Sequence, residues 1–361
     1  MISQLDNRKH VKFLKRHLEL LPSSHQEHDP NKMAIIFYSI MGLAALKIDV
    51  CKEYKANLHW LHKHYRTIRS PDSQETISGF TGSFSMLISS VNCLSLPNTL
   101  FAILTCRTLK DEEFFHEIID PKGVASFVGR CQDPEVGSFT STLDYKRLIP
   151  SPVDTGDLRF CYIAVAILQL IGFTNEGELK EFIDVEKLIQ YILAQQCADG
   201  GFGSYGEPHA GYTSCALSAL SLLGKLDRLS DCFKERTISW LVSRQVSNQG
   251  CMRFQEGNDC FDSEDHGGFQ GRENKFADTC YVFWCLNSLR LLTPDGCELP
   301  IQPDLAEDFL INRTQNNVIG GFSKNDQDDP DLYHTCLGIA ALAMLDGSFD
   351  GVLFIPKGIT V

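Results

Sequence analysis

Two kinds of helical segment alternate along this chain. Segments 161–171, 213–223, 280–292 and 336–345 are apolar nearly all round and almost free of charge, which predicts helices buried on every side. Segments 184–196 and 234–245 instead mix charges with apolar positions three and four apart, the pattern of a helix with one wet face. The apolar helices are expected to begin near Leu96, Leu158, Tyr212, Ala277 and Tyr333, and 33–46 supplies a sixth. A glycine turn ending in phenylalanine accompanies five of them: Gly82-Ser83-Phe84, Gly137-Ser138-Phe139, Gly200-Gly201-Phe202, Gly267-Gly268-Phe269 and Gly320-Gly321-Phe322. The unit therefore repeats every 55 to 65 residues or so, longer than the common solenoid repeats. About six inner and six outer helices closing on themselves form an all-α α/α barrel, which buries the apolar faces that an open array leaves exposed at its ends. No β period and no Pro-, Gly- or Ser-rich linker interrupts it, so residues 1–361 read as a single domain.

Composition narrows the class. The 43% hydrophobic content of 361 residues is enough for a large core, and no run approaches the roughly 18 apolar residues of a membrane span. Fourteen cysteines occur without a C-x-x-C pair and without an N-terminal apolar leader, which points to reduced thiols and a cytoplasmic or nuclear setting. The net charge of −13 argues against a general nucleic-acid binder and suits a basic partner, although any single carboxylate also serves plain solubility.

Chemistry gathers where the repeats are overlaid. If the turns place every inner-helix start at one mouth, Arg159, Thr213, Asp278 and His334 share a column, and Asp278 and His334 each precede a cysteine by two. Residues two apart diverge within a helix, yet Asp278 and Cys280 can share an ion if Asp278 is not yet helical. With His334 they offer O, S and N ligands, which leaves tetrahedral zinc one open position, as in catalytic sites. An N-cap, a core cysteine and a polar helix start account for the same three residues, and the glycines also fit ordinary tight turns, so spacing alone does not choose. Arg272, Lys275, His209 and Tyr281 lie near the same rim and suit a phosphate-like anion. Tyr38, Phe283 and Trp284 add an aromatic interior.

The run Asp278-Thr279-Cys280-Tyr281 with Phe283 and Trp284, and the later Tyr333-His334, resemble the β subunits of protein prenyltransferases over essentially the whole chain. The segments His10-Val11-Lys12-Phe13, Leu21-Pro22-Ser23-Ser24-His25, 33–42 and 267–289 are most similar to the type I geranylgeranyltransferase branch in its fungal form. The resemblance implies zinc held by Asp278, Cys280 and His334, and a diphosphate held by His209, Arg272, Lys275 and Tyr281. It also implies a lipid wall including Trp284, and Arg159 near the end of a bound protein tail. Ala34 stands where farnesyltransferases carry a floor tryptophan, so a longer prenyl chain is expected. Lys324 stands where they carry a magnesium-binding aspartate; Asp326, Asp328 and Asp329 follow, which leaves Mg²⁺ open. The implied reaction moves a geranylgeranyl group from geranylgeranyl diphosphate to the cysteine of a C-terminal CaaX sequence, leucine being favoured last, on proteins such as Rho-type small GTPases. The implied assembly is a heterodimer with the α subunit shared with farnesyltransferase. A farnesyltransferase β subunit is the near alternative. A terpene cyclase barrel would need a D-x-D-D-type acid on an inner helix, which is not found, and a non-catalytic repeat scaffold would need no zinc.

Overall fold

The computed structural model describes residues 4–19, 21, 28, 30–69, 75–83, 94–144, 147–247, 262–294 and 296–359. Phe84 of the first glycine turn and Pro22 to His25 of the family-like N-terminal segment lie outside the described residues. The inner layer is made of helices Lys32–Ala45, Leu96–Thr108, Leu158–Leu170, Ala210–Leu222, Thr279–Leu292 and Leu332–Leu345. Each packs on the next and the last packs on the first, so the ring is closed. Closure explains why these helices are apolar all round: each has neighbours on both flanks, an outer layer behind and the lumen in front.

The outer positions are filled by Val50–Tyr54 with Leu58–His62, then Pro121–Arg130, Val185–Ala194, Asp231–Val242 and Pro303–Asp308. The sixth is Asn7–Glu19, the first helix of the chain, which packs on Lys32–Ala45. His10 ties it to the far end of the sequence: Gly321 N–H donates to His10 Nδ1 at 2.9 Å, and His10 Nε2 meets Gln315 Oε1 at 2.8 Å. The His10 ring also stacks on Phe322, 4.7 Å between centroids.

The turns have a shared mechanical role. Phe139, Phe202, Phe269 and Phe322 are fully buried between the layers. The Phe202 and Phe322 amides donate to Thr213 and Thr335 Oγ1, both at 2.9 Å. Phe80 does the same with Thr99 at 3.0 Å, so the first turn equivalent to the others is Gly79-Phe80, not Gly82-Ser83-Phe84. The sequence reading also lacks strands, whereas four short antiparallel hairpins occur among the described residues, the longest pairing Tyr65–Arg69 with Thr76–Phe80. Strands of two to five residues are too short to leave a periodic signal.

Candidate metal centre and its cavity

Asp278 is the N-cap of Thr279–Leu292, in extended backbone (φ −148°, ψ 135°), with Oδ1 accepting Cys280 N–H at 2.8 Å. A short oxygen side chain is favoured there because it satisfies a free helix-start amide. That non-helical step lets Asp278 and Cys280 face one point. From the next inner helix His334 brings Nε2 to 3.3 Å from Asp278 Oδ1. One ligand atom from each of Asp278, Cys280 and His334 lies within 4.8 Å of the others.

His334 reaches this point differently from the expected shared column. Caps set the register of the repeats, and the cap of Leu332–Leu345 is Asp331, whose Oδ1 accepts His334 N–H at 2.8 Å. Asp278 therefore aligns with Asp331, and His334 with Tyr281, three positions further on. Thr213 also leaves the mouth: it is buried and holds Phe202. Asp331 was not anticipated, although an acid three residues before His334 is a readable capping signal. Its Oδ2 lies 2.6 Å from His334 Nδ1, which fixes the ring and leaves Nε2 for a ligand, the arrangement that metal-binding histidines use.

These residues fit zinc. Ligands bound at about 2.0–2.1 Å in a tetrahedron stand about 3.3 Å apart, and the Asp278–His334 separation has that value. Burial opposes charge on Asp278, but hydrogen bonds from His334 and Cys280 outweigh it and hold the carboxyl below its usual range. Burial also opposes charge on His334, yet Asp278 and Asp331 push it up to about 9. Burial and the Asp278 charge push the Cys280 thiol far up.

Beside the cluster opens a cavity of about 700 Å³. Its wall is rich in aromatic side chains, including Tyr38, Phe101, Phe160, Tyr212 and Trp284. Trp284 Nε1 donates to Tyr333 Oη at 3.3 Å, and Tyr38 meets Tyr333 edge-on at 5.5 Å. Arg159, His209, Arg272, Cys280 and Tyr281 line the polar end. His209 caps Ala210–Leu222 with its ring: Nδ1 accepts the amides of Gly211 (3.1 Å) and Tyr212 (3.4 Å). With Nδ1 accepting, the neutral ring carries its proton on Nε2, which points to Tyr281 Oη at 3.1 Å. Burial, with Arg272 and Arg159 nearby, pushes His209 down to about 4, so it is neutral. Gly271 makes room for this pair, since a Cβ there would run into the Tyr281 ring.

The other expected residues divide. Arg272 is paired with Glu207 at 2.9 Å, and Arg159 with its own cap Asp157 at 2.6 Å. Lys275 is exposed on the Arg272 segment and is not part of the cavity wall. Ala34 is half-buried in Lys32–Ala45, one turn before Tyr38, and is also not part of that wall. Phe283 is fully buried behind it. The Lys324 carbonyl accepts Thr279 N–H at 2.9 Å, so its backbone touches the metal-side helix start while the side chain is exposed. Asp326, Asp328 and Asp329 are exposed. Among the described residues Asp278, Cys280 and His334 form the one cluster of this kind.

A family model described as "Prenyltransferase alpha-alpha toroid domain" matches residues 5–353. "Geranylgeranyl transferase type-1 subunit beta" of Arabidopsis thaliana is 30% identical, over 94% of this chain and 84% of that protein. The protein of the same description from Dictyostelium discoideum is 28% identical, over 95% and 92%. Among solved structures, "Candida albicans protein geranylgeranyltransferase-I complexed with GGPP" superposes with a TM-score of 0.85 at 31% identity, covering 98% of this chain and 97% of that one.

Proposed function

The chain belongs to the prenyltransferase α-α toroid family, and on that footing we propose that it is the catalytic β subunit of a type I protein geranylgeranyltransferase. The reaction joins the cysteine thiol of a C-terminal CaaX sequence to a geranylgeranyl group and releases diphosphate. The observation that carries this reading is the meeting of Asp278, Cys280 and His334 at the polar end of the aromatic cavity, beside His209 and Tyr281. An O, S, N donor set, an anion rim and a deep apolar wall specify a thiol, a diphosphate and a hydrocarbon together. The matched relatives carry the same description.

Asp278, Cys280 and His334 would hold one zinc ion, which when bound supplies the Lewis acidity that lowers the pKa of a coordinated substrate thiol. The protein's own groups do the rest. Negative charge grows on the diphosphate as its bond to C1 breaks, and the Tyr281 hydroxyl, oriented by His209 Nε2–H, and the Arg272 guanidinium, paired with Glu207, line the place where it develops. Such preplaced donors are each worth on the order of 2 to 4 kcal/mol of barrier. Tyr281 accepts from His209, which leaves its own proton to donate outward. Arg272 exchanges Glu207 for a phosphate oxygen, and Lys275, on the same segment, adds a point charge from outside. The cavity wall gives about 0.8 kcal/mol per buried CH₂, so the lipid is chosen by depth and not by any one polar contact.

Val153, Tyr205 and Phe276 are exposed on the loops that lead into the inner helices, which supports an α-subunit partner seated at this end. Lys324 would stand in for the charge of Mg²⁺. No described helix is long and apolar enough to cross a membrane, in keeping with work in the cytoplasm. The deciding experiment is coexpression with an α subunit, zinc analysis, and competition of farnesyl against geranylgeranyl diphosphate for a CaaX-leucine peptide. One zinc per β chain and preference for the longer lipid are expected. Full zinc and activity in Cys280→Ala would overturn the site.

A further inference from the structure

The last hairpin of the chain, Phe349–Asp350 paired with Ile355–Pro356, leaves the C-terminal end of the inner helix Leu332–Leu345. Inner helices start at the mouth, so this hairpin enters the lumen from the opposite end. Its tip forms part of the cavity wall through Gly351 and Phe354. The tip is held on several sides. Tyr162 Oη donates to the Val352 carbonyl at 2.7 Å, and Asp350 Oδ1 accepts Val352 N–H at 2.8 Å. The Phe354 ring packs on Phe283 at 4.9 Å and on Phe37 at 5.6 Å. Its φ of 58° is uncommon for a residue with a side chain and persists only where the surroundings over-determine it.

Beside it, on the neighbouring inner helix Thr279–Leu292, the Asn287 amide lies so close to Gly351 that a Cβ does not fit. Asn287 in turn donates to Ser214 Oγ at 2.9 Å and Ser218 Oγ at 3.0 Å, and both serines belong to the cavity wall. The tip is thereby registered against the adjacent inner helix by Asn287 and against the opposite one, Leu158–Leu170, by Tyr162. Among the described residues the tip's hydrogen bonds and ring contacts to the rest of the barrel go to Tyr162, Phe37 and Phe283, none of which belongs to the metal cluster or the anion rim. The family match ends at residue 353, so the end of the cavity lies at the margin of the matched span.

We infer that this hairpin is the end stop of the prenyl cavity and that Phe354 sets the chain length it accepts. The inference rests on the function proposed above. Its test measures the affinities of farnesyl, geranylgeranyl and geranylfarnesyl diphosphate on heterodimers purified with wild-type, Phe354→Ala and Phe354→Leu chains, with zinc content and melting temperature checked on each. In Phe354→Ala the preference for geranylfarnesyl over geranylgeranyl diphosphate rises on the order of tenfold or more, as hydrophobic pocket changes of this size do. Phe354→Leu, which keeps the tip filled and guards against loss of folding, shifts the same ratio less in the same direction. A wild-type protein that discriminates by length while both variants keep its ratios overturns the end stop and leaves the functional reading standing. A wild-type protein that binds none of the three lipids overturns the functional reading itself.

Discussion

His334 shows how much one side chain depends on its neighbour. Asp331 caps the helix with one oxygen and aims the imidazole with the other, so Asp331→Ala removes both supports. A 10- to 100-fold loss of zinc affinity is expected, about what such outer partners are worth. Activity should return when zinc is added in excess, which titration calorimetry and a turnover assay on one preparation will show. His209 makes a second case: its Nε2 proton is committed to the rim because Nδ1 is committed to the helix. His209→Gln should lower kcat by about 2 kcal/mol or more of barrier with little change in KM, read from steady-state kinetics. Equal losses through KM alone would assign His209 to ground-state binding.

At the scale of the element, the glycine–phenylalanine turn is a structural unit before it is a route to chemistry. Gly321 sits at φ +87° with Pro330 and Thr335 each 2.9 Å from where a Cβ would stand. Gly347, at φ +78°, has nothing within 4 Å. Gly347→Ala therefore reports backbone strain alone, and Gly321→Ala adds the crowding. We expect Gly347→Ala to cost about 1 kcal/mol and Gly321→Ala clearly more, by denaturant melts of the two variants. Equal costs would mean that the turn relaxes freely. The sequence revealed the turns but not their register. Asp278 and His334 looked equivalent because each precedes a cysteine by two, whereas the capping side chains Asp278 and Asp331 are the equivalent pair.

At the scale of the whole molecule, the outer layer is closed by the helix Asn7–Glu19 lying against the turn at Gly321. His10 does this as a neutral ring: Nδ1 must accept the Gly321 amide while Nε2–H donates to Gln315. Burial holds its pKa below the ordinary value. A group depressed in the folded state contributes stability that is complete above its unfolded pKa, about 6.5, and is lost as pH falls toward the folded one. Melting temperature should thus fall between pH 7 and 5 by more in the wild type than in His10→Gln, whose own baseline is lower. A parallel pH dependence in both would remove His10 from the seam.

Local sequence determined a good deal. Full-round apolarity marked the inner helices, mixed periodicity marked Val185–Ala194 and Asp231–Val242, and the glycine turns gave the repeat; these are short-range properties of a chain that must hide each helix on several sides. The residue types for zinc and for an anion were legible too, because oxygen, sulfur and imidazole ligands and fixed cations have few substitutes. Only the tertiary structure decided how they meet. It moved Thr213 from the mouth into the core, left Lys275 exposed, and brought in Asp331 and the final hairpin. Those placements depend on helix register and ring closure, which join residues hundreds of positions apart, and no local pattern encodes a distance of that kind.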